Sequence, residues 1–394
     1  MQPVEIKPSV YWVGAVDWDI RDFHGYLTPR GTTYNAYLIT GGKNVLVDTV
    51  KQTHFGEMLS RIGQLVDPGR IDCIVANHVE MDHSGSLPLL LEIAPRAEVI
   101  TSPQGEKGLS RHYKKDWPFK TVKTGETLDL GGRTLQFFHV PMVHWPDSMV
   151  TYLAEEKLLL SNDAFGQHIA DSRRFDSEVG WDILREEAAK YYANIVMPYG
   201  ENVKKALAAL SGLEIEVIAP SHGMIWRRYL PEIFSCYRKW SGYQADQKAV
   251  IVYDTMWGST RKIARALQEG LEEAGIPVSM RSLKDNHIST VMPDVLEAKA
   301  VLIGSPTLNN GLFSTVGAFL TYLKGLRPRQ KIGFAFGSYG WGGQAVKEIE
   351  EVMNALGWRR PLTGINIQYL PGAEELARVK ETGKKLGEII LQEN

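Results

Sequence analysis

The feature that most constrains this chain is a change of rhythm near residue 242. From there on, short apolar runs recur at 249–253, 278–280, 300–303, 332–336 and 365–370. Amphipathic stretches at 261–274, 315–323 and 345–355 separate them. Five apolar strands with helices between them predict an open parallel sheet, buried on both faces. The earlier part reads differently. Short strands at 10–16, 34–40, 45–47, 71–76, 97–100, 134–140, 149–154 and 157–161 carry β-branched or aromatic residues bounded by Gly, Pro, Asp or Asn. Helical stretches at 55–65, 181–192 and 203–210 alternate with some of them, which predicts sheets covered by helices. The polar stretch Ser241-Gly-Tyr-Gln-Ala-Asp-Gln-Lys248 has the character of a linker. Two domains are therefore expected, 1–245 and 246–394, which a length of 394 residues readily accommodates.

Composition excludes several classes of function. Charged residues make up 23% and the formal net charge is -2, so neither a nucleic-acid footprint nor an acidic tail is expected. No apolar run approaches the roughly 20 residues of a membrane span. The N-terminus lacks a basic segment followed by an apolar one, so a cytoplasmic location is expected. Only Cys73 and Cys236 are available as thiols. That is too few for a disulfide framework or for a four-thiolate iron centre.

The densest chemistry is Asn77-His78-Val79-Glu80-Met81-Asp82-His83, at the end of an apolar strand. Strand-end loops present side chains from a rigid scaffold without covering them. Three further ligand-type residues follow apolar runs: His144 in Pro141-Met-Val-His-Trp-Pro-Asp-Ser148, Asp163 in Ser161-Asn-Asp-Ala-Phe165, and His222 in Pro220-Ser-His-Gly223. Taken singly, each of these three reads as well as a structural residue beside a strand end. Together with the 78–83 cluster they make four imidazoles and three carboxylates, enough for two metal ions if one carboxylate bridges. Imidazole suits zinc or iron, and carboxylate oxygens are harder ligands.

A second constellation lies after residue 248. The strand at 249–253 runs into Thr255-Met-Trp-Gly-Ser-Thr260, where hydroxyls and helix-start N–H groups can hold a phosphate monoester. Alone, such a junction also reads as a plain helix cap. It is neither a P-loop nor a dinucleotide fingerprint. Two more loops at strand ends, Gly304-Ser-Pro-Thr-Leu-Asn-Asn310 and Gly337-Ser-Tyr-Gly-Trp-Gly-Gly343, add small residues that admit a flat ring. Trp257, Tyr339 and Trp341 offer faces for stacking. The contact residues expected are Thr255, Met256, Trp257, Gly258, Ser259, Thr260, Ser305, Pro306, Thr307, Leu308, Asn309, Asn310, Ser338, Tyr339, Gly340, Trp341 and Gly342.

The pattern His78-x-Glu80-x-Asp82-His83, then His144, Asp163 and His222, resembles the metallo-β-lactamase fold, which usually carries His where Glu80 stands. With Phe23-His24-Gly25, Arg30-Gly-Thr-Thr-Tyr-Asn-Ala36 and the C-terminal half, the chain resembles the flavodiiron proteins over nearly its whole length. That resemblance implies an α/β fold, with an N-terminal metallo-β-lactamase-like αββα sandwich and a C-terminal flavodoxin-like five-stranded parallel sheet. It implies FMN in the three loops, with two irons in the first part. One iron is held by His78, Glu80 and His144, the other by Asp82, His83 and His222, with Asp163 bridging. His24 and a tyrosine of the pair Tyr191-Tyr192, here taken as Tyr192, are expected to serve catalysis at the open face. A head-to-tail homodimer or homotetramer is implied as well.

The expected activity is reduction of O2 to water, of NO to N2O, or both. Electrons come from an external donor, a rubredoxin or reduced deazaflavin F420. The competing reading is a dinuclear zinc hydrolase with an accessory flavodoxin domain. Zinc has no redox chemistry, so a reducible flavin on the same chain argues for iron.

Overall fold

The computed structural model describes residues 2–393. The chain divides into two compact units, Met1–Tyr192 with Glu201–Arg238, and Ala193–Gly200 with Lys239–Asn394.

The first unit is built on two sheets. One has seven strands, in the order Val4–Lys7, Val10–Trp12, Tyr37–Ile39, Val45–Val47, Cys73–Val75, Glu98–Thr101 and Phe119–Thr121. The other has five, in the order Thr127–Asp129, Thr134–His139, Met149–Leu153, Leu158–Asn162 and Val217–Pro220. Side chains alternate faces along a strand, so one run of apolar residues serves two cores. Val45 and Val47 point into the layer between the sheets, with Val75, Ile100, Phe137, Leu153 and Leu160. Leu46, Ile74 and Val99 point the other way, under Met58, Ile62, Leu90 and Leu109 of the helices Phe55–Ile62, Leu87–Ile93 and Pro103–Tyr113. The alternate residues of the second sheet, Val150, Tyr152, Leu159 and Ile218, are buried on its far face. This is the layered αββα arrangement expected.

Strand direction decides where chemistry can gather. Val45–Val47, Cys73–Val75 and Glu98–Thr101 run parallel, so their C-terminal ends share one edge. Leu158–Asn162 and Val217–Pro220 also run parallel to each other. Asp48, the 77–83 segment, Asp163 and His222 all follow these C-terminal ends.

The second unit has a parallel sheet in the order Val278–Ser282, Asp246–Tyr253, Ala298–Leu308, Ile332–Tyr339 and Ile365–Gln368. Numbered along the chain this is 2-1-3-4-5, the doubly wound order of flavodoxin, in which ligands bind outside the carboxyl ends of the strands. A two-residue strand, Gly311–Leu312, folds back antiparallel onto the end of Ala298–Leu308. Two segments differ from the sequence expectation. Residues 246–248 of the expected linker belong to the strand Asp246–Tyr253. The expected loops at 304–310 and 337–343 start as strand, because Gly304, Ser305 and Pro306 pair with Phe336, Gly337 and Ser338. Small residues look like turn formers in isolation, but a neighbouring strand overrides that weak preference. The helices Ile288–Glu297 and Ala373–Gln392 were not anticipated.

Candidate metal and flavin centres

The structure brings all seven expected metal ligands together. Ligand atoms of His78, Glu80, His144 and Asp163 lie within 4.8 Å of one another, as do those of Asp82, His83 and His222. Asp163 faces both groups. Its Oδ2 is 3.1 Å from His144 Nε2 and 3.7 Å from His78 Nε2. Its Oδ1 is 3.1 Å from His83 Nε2 and 3.5 Å from His222 Nε2. Asp82 Oδ2 completes the second group, 3.1 Å from His222 Nε2.

These residues fit a pair of metal ions better than they fit one another. Asp82 Oδ1, Asp163 Oδ1 and His83 Nε2 are buried without a hydrogen-bond partner. Buried polar atoms left unpaired are costly, and three converging on one point call for a cation. Electrostatics agree. Burial opposes charge on His78, but the bonds to Asp147 and Glu80 and the charge of Asp163 raise it to about 10. Burial is likewise outweighed at His83, raised to about 10 by Asp163 and Asp82, and at His144, raised to about 9 by Asp163 and Glu80. Asp163 is held well below the usual carboxylate range, chiefly by His83 against its own desolvation. His78, His83 and His144 thus favour a proton where divalent ions would sit, and metal binding would release it.

A further shell aims the ligands, and the sequence reading did not single it out. Asp147 Oδ2 lies 2.8 Å from His78 Nδ1 and accepts the Val79 N–H at 2.8 Å. That leaves Nε2 for the metal, the usual carboxylate–histidine–metal relation. His222 Nδ1 is fixed 2.7 Å from the Thr33 carbonyl. The loop carrying His222 is latched by Asn35, whose amide donates to the carbonyls of Pro220 and Gly223 at 2.8 and 3.0 Å. Trp12 Nε1 donates to Asn35 Oδ1 in turn, at 2.8 Å. Behind the cluster lies Asp48, which accepts from Asn77 N at 2.8 Å, Asn77 Nδ2 at 3.1 Å and Asn162 Nδ2 at 3.4 Å. Asn162 Nδ2 also reaches Ser221 Oγ at 3.2 Å. Asn77, Asn162 and Ser221 each directly precede a ligand, so one buried carboxylate registers His78, Asp163 and His222 together. The His83 carbonyl accepts from Thr49 N–H and Oγ1, at 2.8 and 2.6 Å, but its ring Nδ1 is unpartnered.

His24 lies at the cluster, with Nε2 3.2 Å from Glu80 Oε1 and its side chain 72% exposed. The tyrosine expectation needs correction. Tyr191, not Tyr192, packs on the cluster, its ring centroid 6.0 Å from that of His222 and 5.0 Å from that of His168. Tyr192 packs on Tyr237 at 5.3 Å. Successive helical residues point about 100° apart, so only one of the pair can face the ligands. Burial, then the charges of Asp163 and Asp82, push the Tyr191 phenol well above its ordinary range and keep it protonated.

In the second unit the three strand-end loops enclose a cavity of about 680 Å³. Of the expected residues, Thr255, Met256, Trp257, Ser259, Pro306, Thr307, Leu308, Asn309, Asn310, Ser338, Tyr339, Gly340, Trp341 and Gly342 line it. Tyr369 and Leu370 join them and were not foreseen. Gly258, Thr260 and Ser305 do not line it but shape it. Gly258 turns the loop at φ +92°, a left-handed conformation. Thr260 Oγ1 lies 2.9 Å from Ser338 Oγ, tying two loops together. Ser305 Oγ accepts the Phe313 N–H at 3.0 Å. Trp257 and Trp341 are 92% and 89% exposed beside this cavity, an unusual cost for large apolar surfaces unless something flat packs on them. The donor-rich 255–260 turn at one end and the aromatic rim fit a flavin mononucleotide.

Comparison with known proteins agrees with both halves. Residues 32–223 match the family model described as ODP family beta lactamase, and residues 251–383 match that of flavodoxin. A nitric oxide reductase of Moorella thermoacetica is 47% identical over 391 residues, 98% of each chain. The structure of rubredoxin oxygen:oxidoreductase from Desulfovibrio gigas superposes with TM-score 0.97 at 42% identity, over 99% of both chains. That of the flavodiiron protein from Giardia intestinalis gives TM-score 0.96 at 34% identity, over 99% of this chain and 97% of that one. With a carboxylate set between two groups of ligand-type residues, a flavin-shaped cavity and relatives alike from end to end, this chain belongs to the flavodiiron proteins.

Proposed function

We propose that this chain reduces O2 to water, NO to N2O, or both, at a diiron centre supplied with electrons through FMN. The observation that carries the reading is Asp163, whose two oxygens address two separate ligand groups, on a chain that also holds a flavin-shaped cavity. When bound, two irons and a flavin supply reversible one- and two-electron chemistry, in sum the four electrons that O2 reduction consumes. His78, Glu80 and His144 would hold one ion, and Asp82, His83 and His222 the other, with Asp163 between them. Three carboxylates against two divalent ions would leave a residual positive charge and would help to hold a ferric pair. His24 beside Glu80 and the protonated Tyr191 are the chain's hydrogen-bond donors at this site. Asp147 and the Thr33 carbonyl keep the ligating nitrogens of His78 and His222 turned inward.

The domains are assigned as 1–245 for the diiron part and 246–394 for the flavin part. The exposed rim of Trp257, Trp341, Tyr369 and Leu370 favours cover by a second subunit, hence a head-to-tail homodimer or homotetramer. The donor is proposed to be a rubredoxin or reduced deazaflavin, and the location cytoplasmic. Among the described residues, no helix is long and apolar enough to cross a membrane. A zinc hydrolase would leave the flavin unit without a task. The test is anaerobic stopped-flow of the fully reduced protein against O2 and, separately, NO. Flavin reoxidation by at least one is expected, with two irons per chain by metal analysis. Two zincs and an inert flavin would overturn the proposal.

A further inference from the structure

Phe23 and His24 sit on a hairpin that crosses the cluster. Its two strands, Asp22–Phe23 and Tyr26–Leu27, have two residues each, paired Asp22 with Leu27 and Phe23 with Tyr26. So short a ladder does not hold itself in place. Yet the Phe23 ring lies 4.9 Å from that of His168 and 5.9 Å from that of His222, and His24 touches Glu80. The buried Tyr26 ring, 5.2 Å from that of His168, and the bond from Thr28 N–H to the Arg21 carbonyl hold part of the hairpin, and a further anchor is at the base. Asp17 Oδ1 accepts the N–H groups of Asp19 and Ile20 at 3.2 and 3.1 Å, an Asx turn that launches the segment. Asp17 Oδ2 accepts the Tyr34 hydroxyl at 3.1 Å and lies 3.4 Å from His54 Nε2. His54 is itself held by Glu57, 3.0 Å from Nδ1. Tyr34 is buried and packs edge-on to His222 at 6.0 Å. One carboxylate thus ties the root of the hairpin to a ring that abuts a metal ligand.

We propose that Asp17 is a positioning residue, setting the height of Phe23 and His24 over the site where the diatomic substrate binds. Asp17 touches neither substrate nor metal ligand. It acts on catalysis through the two side chains on the hairpin. Loss of the clamp lets the hairpin lift, so substrate is held less well while the ligands and the flavin are undisturbed. The proposal rests on the diiron reading, which iron analysis of the unmodified chain tests separately.

The experiment uses the full chain loaded with iron and FMN, as Asp17→Ala and Asp17→Asn. Hydrogen exchange over residues 18–31 and steady-state kinetics with O2 and NO are measured side by side. Asp17→Ala is expected to raise exchange across the hairpin on the order of tenfold. KM is expected to rise about fivefold with kcat within about twofold, at unchanged iron and FMN content. Asp17→Asn keeps an acceptor for the turn and should recover part of both effects. Unchanged exchange, faster exchange with unaltered KM, or loss of iron from the variant would each overturn the proposal. If Asp17→Ala does not fold, Tyr34→Phe removes only the hydroxyl bond to Oδ2, leaving the His54 contact, and is judged by the same outcomes.

Discussion

Replacing Asp48 by Ala should damage the metal centre without removing a ligand. The Asp48 carboxylate is 3% exposed and accepts three hydrogen bonds, two of them from Asn77. Alanine leaves the Asn77 backbone N–H and side-chain amide buried with no acceptor. Each bond to a charged group contributes about 1.5–3 kcal/mol, and each donor stranded in the interior costs about 1–3 kcal/mol. Removing the buried charge returns some of this, since Asp48 is itself poorly solvated and burial raises its pKa. The net loss expected is therefore roughly 3–5 kcal/mol, at the upper end for point mutants. Because the residues before His78, Asp163 and His222 lose their common anchor, iron affinity should fall about 10–100-fold. Chemical denaturation of the apoprotein measures the first quantity, and competition with a chelator of known affinity measures the second. A variant less than about 1 kcal/mol weaker, with unaltered iron affinity, would refute the idea that the hydrogen-bond network registers the ligands.

Other expectations follow from single contacts. Asp147→Ala frees His78 to rotate and strands the Val79 N–H, so iron content after dialysis should drop with the same 10–100-fold loss of affinity, while FMN content holds. Gly223→Ala should be poorly tolerated, because Gly223 has φ +81° and a Cβ there would meet the Gln167 side chain at 2.2 Å; a fall in melting temperature of several degrees checks it. Lys331 is fully buried, with its ammonium on the carbonyls of Leu296 and Ala298, and burial pushes it down to about 7. Between about pH 7 and 10.5 the unfolded chain then holds a proton that the folded chain does not, so stability rises with pH across that window. Lys331→Met should flatten this slope in pH-dependent melting of the flavin unit, and an unaltered slope would show that another group sets it. Stripping metal with a chelator should lower the melting temperature of the first unit, in proportion to the logarithm of free iron when iron is restored.

The candidate ligands were legible in the sequence because their chemistry is local. Two imidazoles and two carboxylates within 78–83, at the end of an apolar strand, announce a metal site before any fold is known. Their support was not legible. Asp147 sits in a quoted motif, but its partner His78 lies 69 positions away, and only the fold brings them within 2.8 Å. Asp48 and Asn35 lie in strand-end segments without any unusual spacing, and their roles appear once neighbouring strands align. The choice between Tyr191 and Tyr192 turned on helical phase, which a boundary uncertain by one residue cannot decide. In the flavin unit the expected loops line one cavity, but the first residues of two of them pair as strand. Tyr369 and Leu370 follow the last strand with no motif to mark them.

The ligands come from both sheets of the first unit. His78 to His83 follow strands of the larger sheet, while Asp163 and His222 follow strands of the smaller one. Iron bound at Asp163 would therefore act as a rivet through the sandwich, adding to the apolar core and to the hydrogen bonds, such as Asn162 to Asp48 and Tyr37 to the Pro220 carbonyl, that already join the layers. Prying the sheets apart would have to break coordination bonds, and loading the metals would have to wait until the sheets had closed.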